Sequence, residues 1–301
     1  MPRFPHPLPS PASALAAVIN DFPWTDSLTF DLALEGLNRT GVGRRAGGTD
    51  LLSVSLSTTD AIGHGWGPDS RELHDHVLRL DRWLGVFLDS VRTLADGPVV
   101  VTLTSDHGVQ TMPEFAQLNG KDAGAVGVDT LIGRIGADLR RRYAVPFDLE
   151  MDSGLLFADV AALRARGVDV PALTDRIAAA MRRLPGIARV YTPASLAAAP
   201  ASDTGARRWR QLLAPSTQWL VVATTREGWM WGRIGGYATH GTTHAQDVHV
   251  PILFAMPGGT PQRVERAVRT VDIGATLAAW LGVRPTERLD GVPLREVVRQ
   301  R

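Results

Sequence analysis

The chain has 301 residues, 44% of them hydrophobic, which is enough for one large domain or one domain carrying an insertion. Its 32 basic and 31 acidic residues nearly cancel, so no broad charge field draws it to nucleic acid or an anionic membrane, and no segment is apolar for long enough to cross a bilayer. It has no cysteine, so disulfides and thiolate ligands are excluded and any metal must be held by His, Asp or Glu.

Residues 1–12 are proline-rich, read as extended, and lack the continuous apolar run of an export signal. Helical patterns follow near 11–20 and 26–38, and glycines 41 to 48 form a turn-rich link. Leu51 to Leu56 is a short apolar run that suits a strand buried on both faces. Asp60 and His64 come just after it. If a helix starts there, the four-residue spacing places both side chains on one face, where they could reach one divalent ion. Asp69 reads as an N-cap with Glu72 three residues on, opening a long amphipathic helix from Leu73 to Val91. His74 and His76 lie in its first turns. Two residues apart they point to different sides, so they read as solvated or edge-of-core histidines and not as a ligand pair.

Val99 to Leu103 is a second apolar strand, and it runs into Asp106-His107-Gly108. Strand, crossover helix and strand of this length predict a right-handed βαβ unit, which would bring both acid–histidine pairs to one sheet edge. From 112 to 236 short helices and strands alternate, predicting a small α+β module inserted into a core made of 1–111 and 237–301. Within it, 147–157 reads as one strand, 195–203 as a plain loop, and the Arg140–Arg142 run as a solvated helix end. His240, His244, Asp247 and His249 then crowd a loop before the apolar strand 250–255. A strand-like stretch near 266–270, a helix from Asp272 to Leu281 and a short last helix complete the chain.

Four stretches together carry a family resemblance: STTDAIGHGWGPDS at 57–70, TSDHG at 104–108, HGTTHAQDVHVPILF at 240–254, and VDIGATLAAWLGV followed by LDGVPL. Their order and spacing resemble the alkaline phosphatase superfamily, in its bacterial phosphate monoesterase and type I phosphodiesterase/nucleotide pyrophosphatase branch. The resemblance implies an α/β fold, with a mostly parallel sheet flanked by helices, and hydrolysis of small phosphoric esters. It also implies two divalent ions, usually zinc. Carried over by motif, Asp60, His64 and His240 resemble the ligands of the first ion. Asp106 and His107 resemble two ligands of the second. His244 matches no family ligand and is read as facing the cleft or supporting the ligands from behind, and Asp247 and His249 are read as groups that orient the ligands. Full-length relatives are often exported to the periplasm.

The match departs from the family at one place. The family carries an aspartate ligand and a nucleophilic Thr or Ser on a strand and helix well before the Asp60 motif. Here Asp21, Asp26, Asp31, Thr25 and Thr29 follow no buried strand and are not assigned those roles. The reading is a phosphoric-ester hydrolase, monoesterase or diesterase, with the nucleophile missing from this chain and impaired activity. It is read as a fragment. The alternative is a non-catalytic metal- or partner-binding protein on the same scaffold.

Overall fold

In a computed structural model, residues 4–8, 10 and 12–299 of the protein are described. Part of the expected extended start, at residues 1–3, 9 and 11, lies outside them. Helices α1 (Ala12–Ala17) and α2 (Trp24–Thr40) flank a 3-10 turn at Ile19–Asp21. Helix α3 (Thr58–Trp66) ends at Gly67, whose φ of 82° favours glycine, and α4 (Arg71–Leu94) follows. The α4 cap is Ser70 and not Asp69, since Ser70 Oγ accepts the Leu73 N–H at 3.1 Å. Glu72 instead meets His6 Nε2 at 2.8 Å, and the His6 ring stacks on Trp66 with centroids 4.3 Å apart. His6 is therefore held at these contacts.

Strand β1 (Val101–Thr104) precedes α5 (Pro113–Leu118), β2 (Gly124–Val126) and α6 (Asp129–Tyr143). The expected strand at 147–157 is a hairpin, β3 (Glu150–Asp152) and β4 (Leu155–Phe157). It turns at Ser153 and Gly154, both at positive φ (46° and 92°), as a two-residue hairpin turn demands. Helices α7 (Val160–Ala165) and α8 (Val170–Met181), strand β5 (Ile187–Tyr191) and helices α9 (Pro193–Ala198) and α10 (Thr204–Leu212) come next. The supposed loop at 195–203 thus contains most of α9, whose Thr192 and Ser195 make a reciprocal capping box. Strands β6 (Trp219–Thr225) and β7 (Trp229–Trp231), helix α11 (Ala245–Val248), strand β8 (Ile252–Ala255) and helices α12 (Asp272–Leu281) and α13 (Arg295–Val298) complete the order.

The chain divides into two compact units. One comprises 1–25, 57–78 and 107–249. Its centre is a four-stranded antiparallel sheet in the order β3–β4–β6–β5. Strand β6 is internal and buried along nearly its whole length. Leu156, Val221 and Ala223 pack with Ile177 and Met181, while Leu155, Tyr191 and Val222 pack with Leu196 and Trp209. Burial on both faces explains the apolar run in β6.

The other unit comprises 26–56, 79–106 and 250–301. In it β1 and β8 pair antiparallel, Val101 opposite Ala255 through Thr104 opposite Ile252, and Phe30 packs on Phe87. The only parallel pair among the described strands is β2 with β7, so the parallel βαβ unit expected from 51–56 and 99–103 is not formed. Residues 51–56 form no strand, no described strand pairs with them, and Leu51 is 82% exposed. An apolar strand needs a ladder neighbour, and among the described residues no strand lies in register with 51–56. The stretch at 266–270 also forms no strand.

An unpaired apolar strand is a template for self-association. Replacing Leu51 and Leu52 by lysine should shift sedimentation profiles towards a single small species at high concentration. The unfolding free energy should change by less than about 0.5 kcal/mol, as is usual for exposed sites.

Candidate metal centre

Helix α3 carries the first two side chains of interest. Its inner face buries Thr58 and Ile62, and Thr59 Oγ1 lies 3.0 Å from Nε2 of the fully buried His76. Of the two α4 histidines, His74 is exposed and His76 is buried, because two helical steps carry a side chain to the opposite side. His76 is thus an interior tether for α3 and not an edge-of-core histidine. With that face fixed, Asp60 and His64 stand one turn apart on the other, His64 Nε2 lying 3.4 Å from Asp60 Oδ1.

The third side chain arrives from far along the sequence. His64 Nδ1 donates to the Ala238 carbonyl at 2.7 Å, and the Ala238 N–H donates back to the His64 carbonyl at 2.9 Å. This reciprocal pair brings His240 Nε2 to 3.2 Å from His64 Nε2 and 3.6 Å from Asp60 Oδ1. A tetrahedral zinc with bonds of about 2.0–2.1 Å sets its donors about 3.3–3.4 Å apart, so the three atoms already stand at the edge lengths of such a site. The bond to Ala238 requires a proton on Nδ1, so in the neutral ring the lone pair lies on Nε2. Burial, with the neighbouring His107 next, holds the His240 imidazole below its ordinary pKa and keeps that ring a neutral donor. One carboxylate and two imidazoles suit a zinc-like ion and leave a position open for another ligand. They form the one cluster of three or more candidate ligands among the described residues.

Asp106 and His107 follow β1 directly. Asp106 is exposed, and neither residue joins a three-donor cluster among the described residues. His107 Nδ1 donates to the Gly108 carbonyl at 2.9 Å, and its ring stacks on His240 with centroids 3.4 Å apart. A buried polar lock holds these segments together. The Gly108 N–H donates to the Asp247 carbonyl at 2.8 Å, and the Gln110 N–H to the Thr239 carbonyl at 3.0 Å. Asp247 Oδ2 accepts from the Thr242 N–H at 2.7 Å and from Gln110 Nε2 at 3.2 Å, and the same amide reaches Thr242 Oγ1 at 2.7 Å. A Cβ at position 108 would collide with the Gln246 carbonyl, so the glycine after His107 is a packing requirement. Gln110 and Thr242 carry no sequence signal of this role.

Of the remaining residues in the histidine-rich loop, Asp247 is buried inside the lock and its Oδ1 has no hydrogen-bond partner among the described residues. His244 Nε2 meets Thr225 Oγ1 at 3.1 Å. His249 is exposed at the end of α11.

Comparison with known proteins places the chain in a family. Residues 7–245 match the sequence model of the type I phosphodiesterase / nucleotide pyrophosphatase family, and the chain belongs to that family, within the alkaline phosphatase superfamily. It is 30% identical to alkaline phosphatase PhoK of Sphingomonas sp. over 89% of this chain and 50% of that protein. It is 29% identical to alkaline phosphatase PhoD of Zymomonas mobilis over 91% of this chain and 50% of that one. The crystal structure of wild-type alkaline phosphatase PafA superposes with a TM-score of 0.83 at 21% identity, over 95% of this chain and 55% of that chain, which shows the fold. The chain spans about half the length of the curated relatives it matches.

The lock can be tested without any ion. Gln110→Ala removes the donor shared by Asp247 and Thr242 and opens a small cavity. Urea unfolding should show a loss of about 2–4 kcal/mol.

Proposed function

We propose that this chain binds a divalent ion, zinc by its donor set, through Asp60, His64 and His240, and serves the hydrolysis of small phosphoric esters. The observation that supports this reading is the approach of the three donor atoms to 3.2–3.6 Å of one another. Family membership supplies the reaction class. An ion at this point would act as a Lewis acid towards a phosphoryl oxygen. The chain's own groups set its geometry: Ala238 fixes the His64 tautomer, and the Gln110–Thr242–Asp247 lock holds the loop bearing His240. Asp106 and His107 are proposed as two ligands of a second ion, and His244, Asp247 and His249 as groups that orient the ligands. No helix among the described residues is long and apolar enough to cross a membrane.

A hydroxyl nucleophile is not proposed in this chain. The two threonines before Asp60 are poorly placed for attack, Thr58 being buried and Thr59 turned to the buried His76. The reading is therefore a metal-binding part of such an enzyme with impaired turnover. The same observation favours a second reading, a metal-binding protein without catalysis on this scaffold.

Two measurements test this. Elemental analysis of protein purified without chelator should give nearer one zinc than two per chain, and His240→Ala should lose most of it, because two ligands do not define the site. Stoichiometric zinc in that variant contradicts the assignment. Turnover of p-nitrophenyl phosphate and of bis-p-nitrophenyl phosphate should fall well below about 1 per second, since positioning supplies most of the acceleration in phosphoryl transfer. A phosphorylated Thr or Ser after incubation with substrate would overturn the absence of a nucleophile.

A further inference from the structure

The loop that delivers His240 is held from a second side, by the four-stranded sheet. Thr225 is the last residue of β6, is buried, and bonds His244 Nε2 through its hydroxyl. The turn between β3 and β4 touches the same loop. A methyl group on Gly241 would overlap the Ser153 hydroxyl and stand 2.8 Å from its Cβ. Gly241 itself has a φ of 90°, so this contact is made where the loop backbone is least tolerant of a side chain. Both supports belong to one sheet, in which β4 pairs with β6 and the Ala223 N–H of β6 donates to the Gly154 carbonyl of the turn at 2.8 Å. The two contacts bracket the segment 241–244, starting one residue after His240.

We infer that Thr225 is a positioning residue for the metal centre: the sheet, through the Thr225–His244 bond and the Ser153–Gly241 contact, holds His240 at the distance an ion requires. On this view His244 is the loop's tether and not a ligand. The module is then a part of the metal site's framework as well as a separate core. The inference rests on the metal reading above, and its test separates the two.

Thr225→Val preserves shape and removes the hydroxyl, whereas Thr225→Ser keeps the hydroxyl. In the intact chain, zinc affinity measured by competition with a chromophoric chelator should weaken about 10–100-fold in the valine variant and stay near the parent in the serine variant, the range typical of partners that orient ligands. Hydrogen exchange on metal-free protein should show amides 240–247 opening faster in Thr225→Val. His244→Ala removes the other half of the bond without touching β6 and should give the same loosening, with no further effect in the double variant. Unchanged exchange in both single variants refutes the tether even if the parent takes up no zinc, a result that would separately sink the metal reading. Zinc affinity in Thr225→Val equal to the parent, or equally lost in Thr225→Ser, also overturns the inference.

Discussion

The site depends on one exchange of hydrogen bonds, that between His64 and Ala238. A helix can place Asp60 and His64 on one face by spacing alone, but no local rule brings in a residue 176 positions away. The backbone and ring of His64 both engage Ala238, so the approach of the 238–240 segment is fixed in distance and in direction. The same contact settles which ring nitrogen of His64 keeps its lone pair. Position and electronic state of the donor thus come from a single pairing.

Around that pairing the protein uses buried polar groups where a smaller site might rely on loop stiffness. Gln110, Thr242 and Asp247 are all buried and satisfy one another almost completely. Buried polar groups are costly when unpaired and specific when paired, so such a network favours one loop conformation over its alternatives. The Asp247 Oδ1 left over is the exception. The lowering of the His240 pKa, set first by burial, is opposed in part by Asp60 and to a smaller extent by Asp247.

Much of this was legible in the residues. Asp60 and His64 stand out by helical spacing, and α4 follows from its helical periodicity. His240 was reached through the order of motifs, since spacing cannot forecast a contact across so long a separation. The Leu51–Leu56 strand misled because hydrophobicity reports what a segment would bury, not whether this chain holds the partner that buries it. The Ser153-Gly154 turn was hidden inside an apolar run, and Ser-Gly is a weaker turn signal than Asn-Gly. His76 was misjudged because the sequence shows which side of a helix a residue takes but not which side faces the interior. Gln110 and Thr225 are ordinary polar residues until the loop is folded onto them.

The separation of the donors also has a topological meaning. A chain without cysteine has no covalent cross-link, yet an ion shared by His64 and His240 would close a loop of 176 residues. In the chain-entropy picture, tying off a loop of that size in the unfolded ensemble is worth about 5 kcal/mol, comparable with a disulfide of the same span. An ion here would act as a removable staple whose presence is set by free metal and not by redox poise. The fold's resistance to unfolding would then rise and fall with metal supply.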